Sequence, residues 1–225
     1  MAHDGEIPRT SPFHAGERAV QARLGVRADT ETIGRKLIHD RLTPEHRAFL
    51  EQLPFLVLGS VDAGGRPWAS IATGRPGFAH TPDARTLMIG NAVRPGDPLL
   101  DGLVPGAPVG VLGIALETRR RNRINGRVAA HDGELVVDVT QAFGNCPKYI
   151  QRREHSIVRD PAAPPATAAE PMTRLDDSAR TAVASADTFF IATLGPPDTD
   201  ADTPSADVSH RGGRPGFVRV DDGRT

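Results

Sequence analysis

The chain has 225 residues, is 38% hydrophobic by residue type and carries a formal net charge of −1, so it can bury a core but has no overall field to draw it onto nucleic acid or anionic lipid. Cys146 is the single cysteine, which excludes an intramolecular disulfide and a thiolate zinc cluster built from this chain alone. No apolar signal-peptide core follows Met1 and no stretch reaches the length of a membrane span, so a cytoplasmic protein is expected, with neither membrane nor nucleic acid as partner.

In chain order, residues 1–10 read as a disordered lead-in, Ser11-Pro12 opens a helix that runs towards Leu24 and ends at Gly25, and residues 26–41 are ambiguous. Thr43-Pro44-Glu45 is a helix start with the cap on threonine and proline at the first helical position; this helix should end at Pro54. The period then changes. Phe55 to Val61 is a continuous apolar strand, Asp62 to Gly65 is turn chemistry, and Pro67 to Thr73 returns to make a hairpin. Further strands are expected over Thr86 to Ile89, Val109 to Leu116, Arg123 to Ala130 and Glu134 to Val139, the last two joined by His131-Asp132-Gly133. Six short strands at hairpin spacing favour an antiparallel barrel over a parallel α/β sheet. Asn145 can cap a helix continuing through Arg153, and the proline- and alanine-rich stretch from Asp160 to Pro171 reads as a linker. The expected division is a helical lead-in at 1–42, a barrel at 43–155, a linker at 156–172 and a second unit at 173–225.

The second unit reads as an internal repeat of the first. Thr43 falls on Asp177, Ala48 on Ala182, Phe55 on Phe189 and Val57 on Ile191. After five extra loop residues Ser70 falls on Ser209, and Gly74-Arg75-Pro76-Gly77-Phe78 matches Gly213-Arg214-Pro215-Gly216-Phe217 residue for residue. The alignment carries Asp83, Arg85 and Thr86 onto Asp222, Arg224 and Thr225. The second copy is thus expected to be incomplete, with strands at 189–195, 206–211 and 217–221 and no counterpart of Asn91 to Leu99.

No metal-ligand spacing, nucleophile elbow, P-loop or dinucleotide fingerprint is present, so no metal site is expected and the commonest hydrolase and nucleotide-binding readings fall away. The run Arg119-Arg120-Arg121-Asn122-Arg123 puts Arg119, Arg121 and Arg123 on one strand face, which suits a solvated strand end or an anion site. Cys146 is expected to be a buried small residue and Trp68 to be core.

The hairpin Phe55 to Ser70, the turn Gly74 to Phe78, the segments Arg123-Ile124-Asn125-Gly126-Arg127 and Asn145 to Ile150, and above all Ala206 to Gly213 with Pro215 to Val220, resemble the pyridoxamine 5′-phosphate oxidase-like proteins. The resemblance implies a mainly β fold with flanking helices: an antiparallel split β-barrel, here with a partial second copy. It also implies FMN held at a two-fold interface, within a homodimer or an intrachain pseudo-dimer. The cofactor-binding residues it implies are Ser70, Asn91 and Arg94 of the first copy, Ser209, His210 and Arg211 of the second, and Lys148 at the expected helix start, which reads equally as a surface lysine. Arginine forks, hydroxyls and free amides are what a phosphate dianion requires. Arg75 and Arg214 read as turn residues or as further anion partners. Vitamin B6 oxidases end on an arginine-bearing strand that has no counterpart here, so their own activity is not implied. Two readings stay open: an FMN-dependent oxidoreductase of undetermined small-molecule substrate, or a non-catalytic flavin- or haem-binding module or remnant without cofactor.

Overall fold

Three helices precede the first strand in the computed structural model, which describes residues 11–161, 163, 170–195 and 204–221. The lead-in expected at 1–10 and the repeat positions Asp222, Arg224 and Thr225 lie outside those residues. α1 (Ala15–Arg23) is capped by His14 rather than at Ser11: its Nδ1 accepts from the amides of Gly16 and Glu17, while the Glu17 carboxylate accepts from the His14 amide. Gly25, at φ 71°, turns the chain out of the helix. The ambiguous region forms α2 (Arg27–Leu37). α3 (Pro44–Glu51) starts where the sequence places it, with the His46 amide donating to the Thr43 hydroxyl.

β1 (Phe55–Val61) and β2 (Pro67–Thr73) form the expected hairpin, pairing Phe55 with Thr73 at one end and Val61 with Pro67 at the other. Asp62 ties its turn: the carboxylate accepts from the amides of Gly64 and Arg66, from Arg66 Nε and from the Trp68 indole. The Arg66 amide and the Trp68 indole, foremost among these donors, hold the Asp62 carboxyl far below the usual carboxylate range. Trp68 is therefore not core; its ring lies over the hairpin, 39% exposed, because the indole N–H finds its acceptor there.

The remaining barrel strands are β3 (Ala79–His80), β4 (Thr86–Gly90), β5 (Pro108–Ala115), β6 (Arg120–Asp132) and β7 (Glu134–Gly144). The short β3 makes seven strands rather than six. All pairs are antiparallel in the order β2-β1-β5-β6-β7-β4-β3, and the edges β2 and β3 are not bonded to each other, so the barrel is split there. Leu58 of β1, Ala72 of β2, Ile89 of β4, Val111 of β5, Ile124 of β6 and Val137 of β7 share one core with Phe49 and Leu50 of α3.

The helix expected from Asn145 to Arg153 does not form. Tyr149 sits at φ 68°, which no right-handed helix permits, and Ile150 is buried, so tertiary contact holds this segment irregular. Cys146, expected inside, is exposed as a result.

The C-terminal unit consists of α4 (Asp177–Ser185) and the antiparallel hairpin of β8 (Thr188–Gly195) and β9 (Ser205–Gly212). Asp176, not Asp177, is its cap, and Ile191 stands opposite Ser209 as Leu58 stands opposite Ser70. With Ser209 set on Ser70, this register sets Ile191 against Leu58 rather than Val57. The two Gly-Arg-Pro-Gly-Phe segments adopt the same turn: the Phe amide donates to the Arg carbonyl, and Gly77 and Gly216 have φ 92° and 84°. The strand expected over 217–221 does not form beyond a bridge at Asp221, so the sheet has two strands among the described residues, and Phe217 stacks on Phe189 at 5.6 Å.

This hairpin lies on the outer face of the barrel, where Val208 packs with Val57 of β1 and Leu112 of β5. Glycines let it approach. A Cβ on Gly59 would meet that of Val208 at 2.8 Å, and one on Gly110 would meet the Asp207 Cα at 2.8 Å. β1 and β5 are consequently covered on both faces, which is why their sequences are continuous apolar runs. Among the described residues no helix is long and apolar enough to cross a membrane.

Candidate functional site

The docked hairpin creates a cationic pocket where β9 meets β6. Period two along β9 separates Asp207 and Ser209 from Val208 and His210. Arg123 of β6 takes the first pair, donating through Nη1 to Asp207 Oδ2 at 2.9 Å and through Nη2 to Ser209 Oγ at 2.6 Å. Val208 anchors the opposite face in the apolar contact with the barrel. His210 is thereby fixed beside Phe190, with ring centroids 5.8 Å apart. Arg121, two residues before Arg123, donates from Nη1 to His210 Nδ1 at 3.0 Å. A guanidinium has only protons to give, so Nδ1 accepts and the imidazole proton resides on Nε2. That Nε2 is buried and has no partner among the described residues.

The pocket encloses about 670 Å³. Arg121, Lys148 and Arg211 bring positive charge to it, with Arg219, which is paired with Asp221; Phe189, Phe217 and Tyr149 supply aromatic surface, and none of the described carboxylates lines it. The 145–150 segment forms one wall because Gly212 lies against it: a Cβ there would fall 2.0 Å from the Tyr149 carbonyl oxygen. Lys148 therefore reaches the pocket from an irregular segment, not from a helix start. The electrostatics follow from this crowding. Burial pushes the His210 imidazole down to about 4, reinforced by Arg121 and Arg211. Burial and then Arg123 lower the Arg121 guanidinium, and burial lowers Arg123 against the opposing pull of Asp207. Asp207 is the one acid of β9, and it already pairs with Arg123. Excess positive charge around a neutral imidazole with a free donor is a setting for an anion.

Of the residues expected to hold phosphate, Lys148, His210 and Arg211 line this pocket, whereas Ser209 does not and instead accepts from Arg123. Ser70, Asn91 and Arg94 do not line it; Ser70 donates to Asp97, Arg94 donates to Thr73 and to backbone, and Asn91 is an exposed residue at φ 51°. Arg75 and Arg214 are exposed turn residues. The sequence singled out Arg121 only as a member of an arginine run, whose period-two signal proves correct for Arg121 and Arg123 while Arg119 falls in the turn at φ 53°. Phe189, Phe217 and Arg219 stood in the sequence only as members of the repeat and of the family resemblance, not as site residues, since their placement depends on a turn folding back.

A family match spans residues 42–163, more than half of the chain, and the family is described as pyridoxamine 5′-phosphate oxidase. The chain belongs to this family. The pyridoxamine 5′-phosphate oxidase match covers the barrel, Arg121 and Lys148, whereas β8, β9 and His210 lie beyond it. No curated protein matches by sequence. Among solved structures, HupZ of Group A Streptococcus is 13% identical over 46% of this chain and 93% of its own, with a TM-score of 0.34. HutZ, the heme storage protein from Vibrio cholerae, is 19% identical over 46% and 95%, with a TM-score of 0.29. The FAD and heme binding protein of Mycobacterium smegmatis is 15% identical over 49% and 70%, with a TM-score of 0.27. At such identities and scores nothing about ligand or activity transfers to this family member.

Proposed function

We propose that the chain binds FMN in the pocket between β6, β9 and the 145–150 segment, and that it serves as an FMN-dependent oxidoreductase for a small molecule. The observation that carries this reading is the lining of the pocket, where Arg121, Lys148, His210 and Arg211 converge with no carboxylate among the described residues that line it. A phosphate dianion would balance that positive charge and take its hydrogen bonds. The aromatic surface of Tyr149, Phe189 and Phe217 suits the flat isoalloxazine, which, once bound, supplies the electron transfer. We read α4, β8 and β9 as part of a second copy packed on the barrel as a pseudo-dimer partner. Their order, their hairpin register and the shared Gly-Arg-Pro-Gly-Phe turn support that reading.

The test is titration of the purified chain with FMN and with riboflavin, followed by flavin fluorescence. FMN should bind well above riboflavin, and Arg121→Met should weaken FMN roughly 10- to 100-fold, the worth of a lost charge-assisted hydrogen bond. Equal affinity for the two flavins, or wild-type FMN affinity in Arg121→Met, would overturn the reading. The haem alternative turns on the same imidazole. Iron ligation through Nε2 requires its proton to move to Nδ1 and Arg121 to withdraw, so the observed Arg121 bond favours the donor role. A Soret band on haemin addition without FMN uptake would reverse that preference.

A further inference from the structure

We infer that the chain carries one anion pocket rather than two, because Asp97 and the linker carbonyls of Pro161 and Ala163 occupy the corresponding place in the first copy. Two paired split-barrel units would ordinarily offer a Ser70-type and a Ser209-type site alike. The two places differ here in chemistry. Ser70 is buried, 8% exposed, and its hydroxyl donates to Asp97 Oδ1 at 2.8 Å. The same oxygen accepts the Leu99 amide at 2.9 Å, which fixes the carboxylate in position. A phosphate taking the Ser70 proton would displace that acceptor and lie beside its negative charge, which repels it.

Arg94, the guanidinium that would clasp the phosphate, is already engaged. Nη2 donates to the Thr73 hydroxyl at 2.7 Å and to the Pro161 carbonyl at 2.5 Å, and Nη1 donates to the Ala163 carbonyl at 2.7 Å. Both protons of Nη2 are used, so the parallel fork needed for bidentate phosphate binding is not on offer. The residues of the first copy thus do not fit the group that the family resemblance places there. His210 presents the contrast: its Nε2 is buried with no partner among the described residues, and it lies in a pocket that none of the described carboxylates lines. The linker's contact with Arg94 ties the segment between the two units to the barrel, so site closure and linker docking are one arrangement.

Two measurements on the full chain decide this inference, of which the first rests on the FMN reading and the second does not. Calorimetric titration should give one FMN per chain; two per chain overturns the inference. Limited trypsin digestion, followed by mass spectrometry, reports cleavage after Arg159. Arg94→Ala and Arg94→Lys, each checked for an unchanged melting profile, should be cut there several-fold faster than wild type, since either loses the fork that grips Pro161 and Ala163. Wild-type cleavage rates in both variants overturn the inference. Absence of any FMN uptake would remove the FMN reading alone, and the cleavage rates would still decide the linker contact.

Discussion

At the scale of single residues, His210 concentrates the chemistry of the site. It is 3% exposed, accepts from Arg121 at Nδ1 and keeps at Nε2 a donor with no partner among the described residues. Its folded pKa of about 4 lies below the ordinary 6.5, so between those values the unfolded chain binds the extra proton. Stability from this group is therefore complete above about pH 6.5 and is lost as pH falls towards 4. Urea unfolding across this window should show stability rising with pH. In His210→Gln that rise should be shallower by up to about 1.4 kcal/mol per pH unit, the slope of one proton. An unchanged slope would mean that the imidazole is not held neutral.

At the scale of elements, the docking of β9 depends on what β1 and β5 omit. Gly59 and Gly110 leave room for the backbone of β9 to pass within van der Waals contact, and Val57 and Leu112 supply the apolar surface between them. Gly110→Ala should destabilise this contact by about 1–3 kcal/mol, as overpacking does, because the opposing atom is backbone Cα and cannot rotate away. Hydrogen exchange would check it: protection should fall in β8 and β9 and persist in β6 and β7. Equal loss across all four strands would show that the glycine serves the barrel instead.

At the scale of the molecule, two apolar clusters are separate: the barrel interior, and the small patch of Val57, Leu112 and Val208 that joins the units. Charge inserted at the patch should therefore detach the hairpin without melting the barrel. In Val208→Asp an unpaired carboxylate faces apolar surface, which costs several kcal/mol. Calorimetry should retain the main thermal transition while FMN affinity drops at least tenfold, because β9 carries His210 and Arg211. If FMN binding survived with the hairpin displaced, the pocket would have to be built by the barrel alone.

Local chemistry made much of this readable in the residues. Pro44 after a capping Thr43, the apolar run Phe55 to Val61, the turn at Asp62 and the Gly133 hairpin each specify their geometry over a few neighbours, and those elements occur where the sequence puts them. The arginine pair Arg121 and Arg123 was legible as a strand face for the same reason. Where tertiary contact outweighs local preference, the residues alone mislead. A capped start at Asn145 could not overcome the burial of Ile150 and the close approach of Gly212, so Lys148 reaches its pocket without a helix. Period and propensity also could not reveal that Arg94 meets carbonyls far along the chain while His210 meets Arg121 and is left with a free proton. Which polar groups find partners is a property of elements brought together from distant segments, and only the assembled fold decides it.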